Sequence, residues 1–198
     1  MRIISGTAKG RCLQTPSQKT ARNSAKLIRP TADRAREALF SIIGREVNNA
    51  IVLDLYAGTG ALGLEALSRA ANRAVFIDRS EEAVQIIRKN IELCGFTDRA
   101  RVFKHDLSKG LSFITNKLPD IAFSIVFVDP PYSKGISAVM LQKLSGADFL
   151  LSGALLVIED DAAADLPQQV AELALVDCRH YGKTGFWLYR QSSFTKKA

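Results

Sequence analysis

Four short segments in the middle of the chain each combine an apolar core with an aspartate at or near the carboxyl end. They are Ile51-Val52-Leu53-Asp54-Leu55, Ala74-Val75-Phe76-Ile77 before Asp78, Arg101-Val102-Phe103-Lys104 before His105-Asp106, and Ser124-Ile125-Val126-Phe127-Val128 before Asp129. Near-continuous apolar runs mark parallel strands buried on both faces, whereas strict alternation would mark a half-solvated strand. Segments of helical period lie between them. Ala61 to Ala71 reads as a helix, and Ser80 with Glu81 and Glu82 opens another. In that second helix Ala83, Ile86, Ile87, Ile91 and Cys94 recur at helical spacing until Gly95. A further helix is expected between Ile136 and Leu144. Ahead of the first strand, Ala32, Ala35, Ala38, Leu39, Ile42 and Ile43 form a stripe with Thr31 as the expected N-cap, Asp33 in the first turn and Gly44 at the end. Ala154 to Glu159 gives a fifth strand. Leu173 to Tyr181 with Phe186 to Arg190 predicts a terminal hairpin turning at Gly182-Lys183-Thr184-Gly185.

Strands alternating with helices, closed by a hairpin, predict an α/β fold: a mainly parallel sheet with helices on both faces. With 198 residues and 47% hydrophobic content, the chain can bury a core of its own. One domain is expected over residues 31–198, behind a basic extension at 1–30 that holds seven basic residues and no acids. Within that extension Arg2-Ile3-Ile4 and Arg11-Cys12-Leu13, separated by Gly6 and Gly10, predict a small hairpin.

Charge sharpens this picture. Residues 1–50 carry ten Lys and Arg against three acids, while the remainder holds seventeen of each sign, so the whole net charge of +7 sits near the N-terminus. Such asymmetry points to a polyanion, with nucleic acid ahead of a membrane because no basic amphipathic helix accompanies it. The alternative is a solvated basic tail. Arg34 and Arg36 are available for phosphates or for a ligand carboxylate. Cys12, Cys94 and Cys178 stand far apart, and the histidines are only His105 and His180, which suggests neither a disulfide framework nor a metal site. No apolar run reaches transmembrane length and no secretory segment follows the basic start, so a cytoplasmic protein without a membrane partner is expected.

The candidate chemistry sits at the carboxyl ends of the strands, where open α/β sheets bind ligands. After the first strand comes Tyr56-Ala57-Gly58-Thr59-Gly60-Ala61-Leu62-Gly63, in which glycines permit a tight turn and the next helix supplies amide donors. The G-x-G-x-x-G spacing from Gly58 would suit a dinucleotide enzyme. The Asp54-x-x-x-Gly58-x-Gly60 spacing instead resembles motif I of class I S-adenosylmethionine-dependent methyltransferases. Asp78 is placed to accept hydrogen bonds from ribose hydroxyls under either reading. Asp106 holds the equivalent position one strand on, and Arg79 and Leu107 are expected beside the two aspartates. The discriminating motif is Asp129-Pro130-Pro131-Tyr132, which resembles the [DN]-P-P-[YFW] motif of methyltransferases acting on planar nitrogens. There the acid and the first proline's carbonyl accept the two amine hydrogens, and the aromatic ring stacks on the target base.

With these residues in place, the chain resembles the bacterial 16S rRNA guanine-N2 methyltransferases of the RsmD type. The resemblance covers nearly the whole length. It rests on Arg2-Ile3-Ile4-Ser5-Gly6 with Lys9-Gly10-Arg11, on Arg29-Pro30-Thr31 through Phe40, on Asp54 to Glu65, on Phe127 to Tyr132 and on Tyr181-Gly182-Lys183-Thr184. It implies a class I methyltransferase sheet of seven strands with the last inserted antiparallel, S-adenosylmethionine as cofactor, and 16S rRNA of the small subunit or its assembly intermediate as partner; separately from the resemblance, a monomer is expected. It assigns cofactor contact to Asp54, Gly58, Gly60 and Asp78, and target-amine contact to Asp129 through Tyr132; Thr59, Arg79, Asp106 and Leu107 are further cofactor candidates by position, although His105-Asp106 departs from the family's usual small-residue-Asp pair. Lys9, Arg11, Arg29 and Arg34 are the candidates for RNA. A protein glutamine-N5 methyltransferase would carry Asn in place of Asp129 and a recognition domain for which this length leaves little room. A DNA amino-methyltransferase shares the catalytic motif, and a non-enzymatic RNA-binding module would leave that motif without a purpose.

Overall fold

A computed structural model describes residues 1–16, 30–131 and 135–192. The apolar runs pair into one sheet of eight strands: β1 (Ile51–Leu55), β2 (Arg73–Asp78), β3 (Ala100–Lys104), β4 (Phe123–Val128), β5 (Leu150–Asp161), β6 (Gln169–Val170), β7 (Leu173–Tyr181) and β8 (Thr184–Gln191). Their order is β3-β2-β1-β4-β5-β8-β7-β6, parallel from β3 to β5 and antiparallel beyond. The last strand is inserted antiparallel between β5 and β7, as expected. The expected count of seven is corrected to eight, because Gln169–Val170 pairs with Leu173 and Ala174 at the edge. Two residues are too few to leave a period in the sequence.

The helices follow their patterns with instructive exceptions. α1 (Pro30–Ile43) starts at Pro30 itself, so Thr31 falls inside the first turn and is not the N-cap. Proline suits that first position because it lacks an amide hydrogen the helix would leave unbonded. α2 (Ala61–Ser68) is buried along its entire length. α3 (Glu81–Cys94) is capped as predicted, with Ser80 Oγ accepting from the Ala83 amide at 3.3 Å and Gly95 left-handed at φ 75°. α4 (Ser112–Lys117) has six residues, too short for its stripe to stand out, whereas α5 (Ile136–Leu144) has the expected bounds. The terminal turn is tighter than expected: Tyr181 pairs with Thr184 and His180 with Gly185, leaving only Gly182-Lys183 to turn. Gly185 is glycine for another reason, since a Cβ there would lie 2.4 Å from the Trp187 ring.

Two apolar clusters cover the sheet's two faces. Val52, Phe76, Ile125 and Phe127 meet α1, α2 and α3 on one face, while Leu53, Val75, Val126 and Leu156 meet α5 and Leu107 on the other. The N-terminal residues belong to the first cluster. Ile3, Ala8 and Leu13 are buried in it, and an antiparallel bridge between Arg2 and Cys12 forms the small hairpin. Residues 1–14 therefore form a strap lying on α2 and α3, with Ile4 and Ser5 amides donating to Glu65, the Ala8 amide to Ser68 Oγ and the Gln14 amide to Asn90.

Candidate active site

β1 lies between β2 and β4; the connection leaving β1 runs to β2 on one side and the one leaving β4 runs to β5 on the other, the kind of switch point at which open α/β sheets bind ligands. Three main-chain bonds hold the exits of these strands together: Ala57 N to Ile77 O at 3.1 Å, His105 N to Asp78 O at 2.9 Å and Asp129 N to Leu55 O at 3.4 Å. The glycine loop, Asp78, Asp106 and Asp129 are thereby gathered on one edge of the sheet.

The loop is shaped by two carboxylates. Asp78 accepts from the Gly58 amide at 2.9 Å through Oδ2 and from the Ser80 amide at 2.8 Å through Oδ1. A carboxylate has about four acceptor sites, so capacity remains for a ligand's hydroxyls. Asp54 lies beneath the loop, 2% exposed, and accepts from the Gly63 amide at 2.9 Å. Gly58 and Gly60 take φ of 57° and 76°, and Tyr56 joins them at 59°. Gly63 serves packing instead: a Cβ there would meet the Phe76 ring at 2.4 Å, so glycine lets α2 settle onto β2.

Several acids stand close to one another at this edge. Burial pushes the Asp54 carboxyl well above the ordinary range against the opposing bond from Gly63, and the carboxylates of Asp129, Asp78 and Glu159 push it further. Such a group stabilises the fold fully below the unfolded value of about pH 4 and loses that contribution as pH rises through its folded value. Asp54→Asn keeps an acceptor for Gly63, so its stability relative to wild type is expected to improve from pH 5 to pH 8 in urea unfolding. Asp54→Ala removes the acceptor and is expected to cost about 1–3 kcal/mol.

Asp106 accepts from the Ser108 amide at 3.0 Å. Hydrogen bonds from Ser108, helped by Arg79 and Lys109, hold its carboxyl below the usual range, which keeps it an ionised acceptor. Arg79 is exposed, and the half-buried Tyr56 hydroxyl is raised by burial and by Asp106, with Arg79 opposing. Leu107 differs from its neighbours: its side chain is 2% exposed within the core and its carbonyl accepts from Lys143 Nζ at 3.1 Å.

Asp129 is half-buried, Pro130 buried and Pro131 exposed. Tyr132 and Arg29 lie outside the described residues. Lys9, Arg11 and Arg34 are exposed. Arg36 corrects its expectation of availability, because it is 4% exposed and donates to Arg2 O at 2.5 Å and Asp33 at 3.0 Å. Sequence reasoning also missed Glu65, Ser68 and Asn90, which hold the strap. Glu65 leaves one signal, a charged residue inside the otherwise apolar Ala61–Leu67 stretch.

The edge suits S-adenosylmethionine. The glycine loop gives close main-chain approach, and Asp78 beside it keeps acceptor capacity for ribose hydroxyls. Among the described residues no group of three His, Cys, Asp or Glu side chains could hold a metal ion, and no helix is long and apolar enough to cross a membrane.

A family model described as conserved hypothetical protein 95 matches residues 1–190. Ribosomal RNA small subunit methyltransferase D of Escherichia coli K12 is 34% identical over 193 residues, covering 98% of this chain and 91% of that protein. The solved structure of yhhF from Escherichia coli superposes with a TM-score of 0.80 at 32% identity, over 98% of this chain and 99% of the other. An RNA methyltransferase from Salinibacter ruber, solved with S-adenosyl-L-homocysteine, shares the fold at a TM-score of 0.59 and 17% identity, over 86% of this chain and 98% of its own.

Proposed function

The chain belongs to the conserved hypothetical protein 95 family, the RsmD family, and is an S-adenosylmethionine-dependent 16S rRNA methyltransferase; we propose that its acceptor is the exocyclic N2 amine of one guanine. The observation that supports this reading is the bond from the Asp129 amide to Leu55 O, which holds Asp129 at the exit of β1 beside the glycine loop, where its carboxylate is read as the amine acceptor.

The cofactor supplies, when bound, an electrophilic methyl group on a positively charged sulfur. Asp78 is assigned to the ribose hydroxyls, Asp106 with Arg79 to the adenine edge, and Gly58, Thr59 and Gly60 to close main-chain approach. Asp54 acts from beneath by fixing Gly63, and Leu107 contributes through its main chain and core packing. An exocyclic amine is a poor nucleophile because its lone pair is delocalised into the ring. The Asp129 carboxylate and the Pro130 carbonyl each accept one N–H, favouring a pyramidal nitrogen with its lone pair free to react. Pro131 stiffens the turn. Tyr132 stacks on the base, which must leave its helix to reach the site. The proton released as the nitrogen is substituted passes to Asp129 or to water, so no strong base is needed.

The substrate is read as rRNA in the small subunit or its assembly intermediate, the enzyme as a cytoplasmic monomer, and the strap with Lys9, Arg11, Arg29 and Arg34 as the RNA-facing side. Replacing Lys9, Arg11 and Arg29 together by alanine is expected to weaken RNA binding and flatten the slope of log K against log salt. Each lost phosphate contact removes about 0.7–0.9 of slope. An unchanged slope would leave these three side chains as solvated cations with no part in RNA binding. The deciding assay transfers a labelled methyl group to small subunits lacking the modification, with naked rRNA, DNA and a release factor alongside. Labelled N2-methylguanosine from the subunit is the expected product. Label on glutamine or DNA would keep the Asp129 chemistry and discard the guanine.

A further inference from the structure

Asn90 is fully buried on α3, yet its amide makes no bond that serves the helix. Its Oδ1 accepts from the Gln14 amide at 2.7 Å, and its Nδ2 donates to Gln14 O at 3.1 Å and to Thr59 O at 2.9 Å. One side chain thus clasps the end of the strap with one edge and the middle of the glycine loop with another. Met1, the other end of the strap, reaches the same loop residue, with Thr59 Oγ1 donating to its Sδ at 3.3 Å. Thr59 is the residue between the two left-handed glycines, where the backbone has the fewest restraints of its own.

We propose that Asn90 is a positioning residue that makes the N-terminal strap part of the cofactor site, holding Thr59 in the geometry the cofactor needs without touching the cofactor. The proposal rests on the methyltransferase reading of the loop and deepens it. An asparagine suits the place because it offers an acceptor and two donors from one planar group. Aspartate of the same shape keeps the acceptor for Gln14 N but sets a carboxylate oxygen against two carbonyl oxygens. A strap held at Thr59 also gives its exposed side, with Lys9 and Arg11, a physical route to the loop.

The test is calorimetric titration of the full-length protein with S-adenosylhomocysteine, in wild type, Asn90→Asp, Gln14→Pro and the double variant. Gln14→Pro deletes the main-chain donor to Asn90 while leaving α3 and the loop untouched in sequence. Asn90→Asp is expected to raise Kd about tenfold, the scale of one buried hydrogen bond. Gln14→Pro is expected to raise it about threefold or more, and the double variant to fall short of the product of the two, as coupled neighbours do. The kcat at saturating S-adenosylmethionine should stay within about twofold of wild type while KM follows Kd. A purely structural Asn90 would instead lower the melting temperature and the binding-competent fraction with Kd unchanged. That result, or a raised Kd in Asn90→Asp with none in Gln14→Pro, would overturn the proposal. Wild-type protein that bound no S-adenosylhomocysteine would overturn the cofactor reading and the proposal together, whereas a normal wild-type site with unmoved variants would overturn the proposal alone.

Discussion

Asp129→Ala is expected to lower methyl transfer by about 100-fold to 1000-fold, the scale on which a preorganised polar group at a reacting centre acts, while the Kd for S-adenosylhomocysteine moves by less than about threefold. The division follows from where the residue stands. Asp129 follows β4, and its amide is bonded to the exit of β1, whereas the glycine loop proposed to receive the cofactor is shaped by Asp54 and Asp78 through Gly63 and Gly58. Deleting the Asp129 side chain leaves those bonds intact. It also removes one of the carboxylates that push up the Asp54 carboxyl. Asp129→Asn keeps one acceptor for the amine and is expected to retain more activity than alanine. Single-turnover transfer with saturating subunits, beside calorimetry of the same preparations, separates the two effects. Equal losses of turnover and cofactor affinity would assign Asp129 to the cofactor rather than to the amine.

The contrast between this site and the strap explains what a sequence can reveal. The glycine loop is legible because strand, turn and helix are contiguous, so each glycine's neighbours in space are largely its neighbours in the chain. Asp129 is legible for the same reason, as a polar group closing an apolar run. Even there the third glycine shows only as part of a spacing, since its cause is the Phe76 ring thirteen residues away. The strap is legible as a hairpin and opaque as a docked element. Its anchors are Glu65, Ser68 and Asn90, separated from their partners by 60 to 76 residues. Arg36 misleads because an arginine next to other cations looks solvated, and only the fold brings Arg2 O, Asp33 and Glu65 around it. The extra strand and the shortened hairpin turn leave no such trace, because pairing across strands, not local pattern, defines them.

Glu65→Ala is expected to cost more stability than any substitution at Asp54, Asn90 or Asp129, about 3–5 kcal/mol, the scale for removing one partner of a buried ion pair. Glu65 is fully buried in α2 and is the common acceptor for Ile4 N at 2.7 Å, Ser5 N at 3.0 Å and Arg69 Nε at 2.7 Å, with Arg36 Nε at 3.9 Å. Alanine leaves two arginines and two amides facing a cavity, and Arg36 Nε already lacks a hydrogen bond. Glu65→Gln keeps one acceptor oxygen and the side-chain volume, so its cost should be smaller than alanine's. Because Glu65 ties the strap to the helix that follows the glycine loop, the loss should carry a local signature as well as a global one. Hydrogen exchange in Glu65→Gln is expected to quicken first at Ile4 and Ser5, whose amides it holds, and at Thr7 and Ala8, which bond to Ser68 one turn further along α2. β1 and β4 should keep their protection. Uniform loss of protection through the sheet would mean that Glu65 supports the core as a whole and that the strap is not a separately releasable element.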